Sequence, residues 1–138
     1  MSWDILIMDL PRDAQTVSDL PDGFEPRPLG SRNDLITAIR SAAPTADFSD
    51  PSWGQIAAGD FSIEVNMGTD EPVGSVMLHV RGGDGAIALI AEILDRLNAR
   101  TLDIQTGQVF EETAAATSLA AWRSYRDRII SQQGQASR

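Results

Sequence analysis

Any chemistry carried by this chain of 138 residues must run through few side chains, because it holds one histidine, His79, and no cysteine. An imidazole is the one side chain whose unperturbed pKa lies near neutral pH, which makes His79 the candidate general base. If residues 60–67 and 73–81 are strands, alternation sets Ser62 and Glu64 on one face of the first, and His79 and Arg81 on one face of the second. A carboxylate orienting a histidine beside a hydroxyl is the composition of a nucleophilic triad. The placement argues against it. A nucleophile of that class sits on a sharp turn beside an oxyanion hole, whereas Ser62 lies mid-strand between Phe61 and Ile63. The plainer reading is an outward polar row of a sheet with cross-strand pairs, and no residue is assigned a catalytic role.

Phosphate and metal chemistry fare no better. Gly82, Gly83, Asp84 and Gly85 precede a predicted helix, whose free N–H groups favour anions, with Arg81 adding charge. The run matches neither G-x-x-x-x-G-K-[ST] nor G-x-G-x-x-G, and Asp84 puts a carboxylate where a phosphate would sit. It reads as a tight strand-to-helix turn with Asp84 as cap. Asp47, Asp50, Asp60, Asp70 and Glu71 are hard-cation ligand types, but their spacing is not that of a calcium loop, and no second histidine supports zinc or iron. No cofactor or metal is expected.

Charge is the more informative feature. Residues 41–80 carry six carboxylates, Asp47, Asp50, Asp60, Glu64, Asp70 and Glu71, and neither Lys nor Arg. Residues 1–80 hold thirteen acids against four arginines, net −9, while residues 81–138 hold seven of each. A one-signed field of this kind governs solubility, steering and choice of partner rather than fold. Solubility alone is the plain explanation; steering toward a basic partner is the alternative that the asymmetry keeps open. Beside the acids stands Trp53, which follows an aspartate-rich stretch, residues 47–52. Tryptophan is usually a core residue, and burial is the expectation for Trp3, Trp53 and Trp122. An exposed Trp53 flanked by carboxylates would instead be an anchor for a cationic, partly apolar partner.

The elements that must position these residues follow from periodicity. Residues 3–10 are apolar on both faces of a strand, which implies an inner strand. Residues 11–30 contain Pro11, Pro21, Pro26 and Pro28 and no sustained period, and so read as irregular. Ser31 is an N-cap with Asp34 three residues on, and Leu35, Ile36, Ile39 and Ala42 form the stripe of a helix that stops at Pro44. Residues 53–58, 60–67 and 73–81 read as three strands. Ile87, Ile90, Ile93, Leu94 and Leu97 mark a second helix ending at Asn98. Residues 101–105 and 108–110 are short strands, and a third helix is predicted over 113–130. The order βαβββαβ(β)α argues an α+β class, with about three helices packed on a mostly antiparallel sheet of four to six strands. One domain over residues 1–130 is expected, with residues 131–138 a disordered tail that lacks an apolar anchor.

The start of the chain lacks the basic region of a signal peptide and its apolar run is interrupted by Asp4 and Asp9 before Pro11, which makes cytoplasm the expected location. No apolar run is long enough for a membrane span, and a net charge of −9 repels anionic lipid and phosphate backbones. Neither membrane nor nucleic acid is an expected partner.

Size, acidity and the strand sequences W-G-Q-I-A-A-G at residues 53–59, F-S-I-E-V-N-M-G at 61–68 and S-V-M-L-H-V-R-G-G at 75–83 resemble those of the small immunity proteins that accompany bacterial polymorphic toxins. The resemblance covers about a quarter of the chain and carries over no site residue. It implies a cytoplasmic protein that occludes a toxin's active site by surface complementarity. The expectation is a non-catalytic module that binds a basic protein, through Asp47, Asp50, Trp53, Glu64, Asp70, Glu71 and His79. Two rivals stand beside it: a homodimer paired through Trp122, Tyr125 and Ile129, and a small enzyme using His79, Glu64 and Arg81.

Overall fold

The computed structural model describes residues 3–11, 13–82, 85–103 and 109–110. Its frame is β1 (Trp3–Met8), which buries Trp3, Ile5 and Ile7 on one face and half-buries Asp4, Leu6 and Met8 on the other. The double apolar pattern is that of an inner strand, and β1 lies inside a six-stranded sheet of order β2-β3-β4-β1-β5-β6. The remaining strands are β2 (Trp53–Ala58), β3 (Phe61–Asn66), β4 (Val76–Gly82), β5 (Arg100–Asp103) and β6 (Val109–Phe110). Every neighbouring pair is antiparallel. Since β4 and β5 both run against β1, they are parallel to each other, and such strands need a crossover that lies on a face of the sheet. Helix α2 (Gly85–Leu97) is that crossover.

Helix α1 (Arg32–Ala42) begins where its sequence signal places it. The Ser31 hydroxyl oxygen accepts the Asp34 N–H at 3.1 Å, satisfying one of the donors a helix start leaves open. The helix closes at Ala43, whose N–H donates to the Ile39 carbonyl at 2.8 Å, and Pro44 blocks a further turn. Leu35 and Ile39 are buried, and Ile36 and Ala42 pack at the margin. In α2, Ala86, Ile87, Ile90, Ile93 and Leu94 are buried, and Asn98 stops the helix in a left-handed conformation, φ 50°. Both helices share one core with the inward residues of four strands, among them Ile56, Ile63, Val65, Val76, Leu78 and Val80. The described residues therefore form an α+β domain in which one sheet face carries two helices.

Several boundaries differ from the sequence expectation for local reasons. The strand expected over 73–81 begins only at Val76, because Val73 spends its backbone groups elsewhere. Its N–H donates to the Gly30 carbonyl at 2.8 Å and its carbonyl accepts the Leu29 N–H at 2.7 Å. Within residues 11–30, expected to be irregular, a single 3-10 turn forms at Val17–Asp19. The Asp19 carboxylate closes that turn by accepting the N–H groups of Gln15 and Thr16, at 2.9 and 3.1 Å. The strand expected over 101–105 starts one residue earlier, at Arg100. The helix expected over 113–130, the tail 131–138, Trp122 and the Asp84 cap lie outside the described residues.

Candidate functional site

The second face of the sheet, opposite the helices, gathers most of the side chains that could act. Register aligns Trp53, Asn66, Met77, Leu6, Leu102 and Val109 in one row across all six strands. The next row is Gln55, Glu64, His79 and Asp4, and the one beyond is Ala57, Ser62 and Arg81. One row is thus largely apolar and its neighbour polar and charged, a consequence of period-two alternation carried in phase through four strands.

His79 is the centre of this face, and its partner is not the one its sequence neighbours suggest. Glu64 lies directly opposite it on β3 but turns to Arg81, with an N–O separation of 3.5 Å. The His79 Nδ1 instead meets the Asp4 carboxylate at 2.9 Å. Asp4 occupies the opposing position on β1, so the pair follows directly from the β1–β4 register. On its flat side the imidazole stacks against Trp53, with ring centroids 5.8 Å apart and planes 18° from parallel. The Trp53 indole must lie across β3 to make that contact. The Ser62, Glu64 and His79 grouping is therefore not assembled as a triad: Ser62 sits opposite Arg81, and Glu64 is paired away from the ring.

Burial was the expectation for Trp53, and the structure corrects it. Trp53 is 37% exposed, whereas Trp3 is 1% exposed. The physical reason is position: Trp53 opens an edge strand and points to the face without helices, while Trp3 points from an inner strand into the core.

The acidic residues assemble at the end of the sheet where β2 begins and β3 ends. Residues 45–52 lead into Trp53 and residues 67–75 leave Asn66, its cross-strand partner, and the Met67 N–H donates to the Ser52 carbonyl at 2.9 Å. Asp47, Asp50, Asp70 and Glu71 therefore stand on two adjoining loops beside Trp53, with Glu64 and His79 one row further along. Asp60 is at the opposite end, in the turn between β2 and β3.

Three of these carboxylates also hold their loops together. Asp47 accepts both the hydroxyl and the N–H of Ser49, at 2.5 and 2.8 Å, and Asp50 accepts both from Ser52, at 2.8 and 3.0 Å. Those bonds favour the ionised form, so the Ser49 hydroxyl and amide hold the Asp47 carboxyl below the usual carboxylate range, and Ser52 does the same for Asp50. Glu71 receives the Arg32 N–H on both oxygens, at 3.1 and 3.2 Å, placing a negative charge at the first turn of α1. The Arg32 guanidinium reaches back to the carbonyls of Gly68 and Asp70, at 3.0 and 2.9 Å.

Against this charged end lies a shallow hollow of about 270 Å³, with Leu6, Asn66 and Met77 on its floor and Gly68, Asp70 and Ser75 among its walls. A second, of about 260 Å³, lies between Leu10 and Phe24. Pockets that enclose small molecules or cofactors run from about 300 to 1,000 Å³, and both hollows lie at the bottom of that scale and are open to solvent. Among the described residues, no three His, Cys, Asp or Glu side chains are grouped to hold a metal ion, and no helix is long and apolar enough to cross a membrane.

Sequence reasoning overlooked Asp4, Arg32 and the hollow. Asp4 left a weak trace, as a lone acid in an otherwise apolar strand, but its partner depends on which strand lies beside β1. Arg32 left none, since a first-turn arginine is ordinary on a helix surface. No family model matches this chain, and no match was found among curated proteins or solved structures.

Proposed function

We propose that this protein is a non-catalytic, cytoplasmic binding module that engages a basic protein through the acidic end of its sheet, in the manner of an immunity protein occluding a toxin or enzyme domain. The observation that carries the reading is the convergence of Asp47, Asp50, Asp70 and Glu71 from two loops beside a Trp53 that is exposed rather than buried. An aromatic ring rimmed by carboxylates is a composition that anchors cationic, partly apolar partners. The Ser49 and Ser52 hydrogen bonds that lower the pKa values of Asp47 and Asp50 keep those two charges in place to more acid pH than an unbonded carboxylate would hold them. His79 serves this surface as the ring that props Trp53, with Asp4 fixing its orientation.

The test is recovery of the tagged chain from its host at low and at high salt, with identification of whatever co-purifies. A stoichiometric basic protein, retained at low salt and lost at high salt, supports the proposal. Recovery of the chain alone, as a dimer indifferent to salt in sedimentation, would replace it with self-association.

A further inference from the structure

We infer that the hollow bounded by Leu6, Asn66, Met77 and Asp70 is a subsite for a single arginine side chain of the basic partner, an assignment that rests on the binding function proposed above. Its floor and its rim differ in chemistry in the way such a side chain requires. Leu6 and Met77 face each other across β1 and β4, both half-buried, and offer apolar surface to a methylene stem. Asp70 stands at the rim, exposed, and among the described residues its carboxylate accepts none of the hydrogen bonds of the kind that occupy Asp47, Asp50 and Glu71. A guanidinium leaving the hollow meets that carboxylate with a donor fork of matching geometry.

The wall carrying Asp70 is held in place before any partner arrives. Arg32 grips the Gly68 and Asp70 carbonyls, Glu71 returns to the Arg32 N–H, and Asn66 Oδ1 accepts the Gly68 N–H at 3.0 Å. A fixed wall lowers the ordering cost of binding. The Arg32 guanidinium lies against this rim, and its single charge is outweighed by those of Asp50, Asp70 and Glu71, so the local field still attracts a cation. The hollow, about 270 Å³ and open to solvent, has room for one such side chain. Trp53 shares a row with Asn66, so the socket and the exposed indole form one continuous surface.

The experiment titrates the full chain, labelled at its methionine methyls and at its nitrogens, with an acetylated peptide of alternating glycine and arginine. The same peptide with neutral citrulline in place of arginine separates charge from shape. The expected result is saturable movement of the Met77 methyl and the Asn66 side-chain amide with the arginine peptide. Citrulline should weaken binding about five-fold or more, and so should D70N, a loss of the size expected when one carboxylate–guanidinium pair is removed. D22N, which removes an equal charge from an exposed site elsewhere, should bind as wild type does, and thermal unfolding of both variants should match wild type. Saturable binding that leaves Met77 unmoved and is as tight in D70N as in D22N overturns the socket while leaving the acidic-surface reading intact. Absence of saturable binding to the arginine peptide at low salt overturns both.

Discussion

Gly54 is the residue on which the acidic loop is latched, and substituting it tests how that loop is held. Gly54 is buried on edge strand β2, and a Cβ built there would overlap the ring of Phe48, which packs at the margin of the core. Phe48 belongs to the same loop as Asp47 and Asp50, and Asp47 exchanges two backbone bonds with Gln55, at 2.8 and 2.9 Å. In G54A the ring must move and loosen that pairing. Overpacking of this kind costs about 1–3 kcal/mol. Replacing a strand glycine by alanine returns about 0.5–1 kcal/mol in backbone entropy. The net expectation is a loss of roughly 0.5–2 kcal/mol, or about 2–6 °C in Tm for a chain of this length. Phe48→Ala should lose stability on its own, yet adding it to G54A should cost less than the sum, with a coupling of about 1 kcal/mol in a double-mutant cycle. Thermal unfolding gives the energies, and hydrogen exchange at the Asp47 and Gln55 amides gives the location. A G54A protein as stable as wild type, with those two amides equally protected, would refute the latch.

Three further outcomes follow from the same geometry. Trp3→Ala should destabilise by about 3–5 kcal/mol and Trp53→Ala by about 1–2, because only the first empties the core; denaturant unfolding decides, and equal losses would contradict the exposed placement of Trp53. Gly82→Ala should cost about 2–4 kcal/mol, since Gly82 has φ 100° and its added Cβ would strike the Asp60 carbonyl; a neutral effect on unfolding would contradict that close approach. Hydrogen bonds lower the carboxyl pKa values of Asp19, Asp47 and Asp50 from the ordinary 3.8. Their contribution to stability is therefore complete above about pH 5 and is lost as pH falls through the folded values, so D19N/D47N/D50N should show a shallower fall in stability between about pH 4.5 and 2.5 than wild type, measured by urea unfolding.

Much of the scaffold was legible because it rests on local signals. The Ser31–Asp34 cap, the isoleucine stripe of α2 and the alternation of residues 61–66 depend on neighbours within one or two turns, and each appears where its pattern lies. The double apolar character of residues 3–8 announced an inner strand before any partner was known. What stayed hidden depends on contacts between distant residues. That β1 inserts between β4 and β5 cannot be read from β1, and without it Asp4 has no reason to meet His79. The site was legible as a set of charges and not as an arrangement. Alternation placed Glu64, His79 and Arg81 on one face correctly, but choosing between Asp4 and Glu64 as the histidine's partner required the register of a third strand. Trp53 was misjudged because residue type favours burial, whereas its position, opening an edge strand on the face without helices, exposes it.

The most direct measurement is the association rate of the co-purified basic partner with wild type and with D47N/D50N/D70N, each at several salt concentrations. Asparagine preserves an acceptor for the Ser49 and Ser52 bonds, so the loops should persist while the net charge moves from −9 to −6. Electrostatic steering raises association about 10- to 1,000-fold and fades with ionic strength. The account expects the triple variant to associate at least about ten-fold more slowly at low salt, with a flatter salt dependence, while thermal unfolding stays cooperative and falls only by the contribution of the ionised Asp47 and Asp50. An unchanged association rate and an unchanged salt slope in a folded variant would contradict the claim that this acidic end of the sheet is where the partner docks.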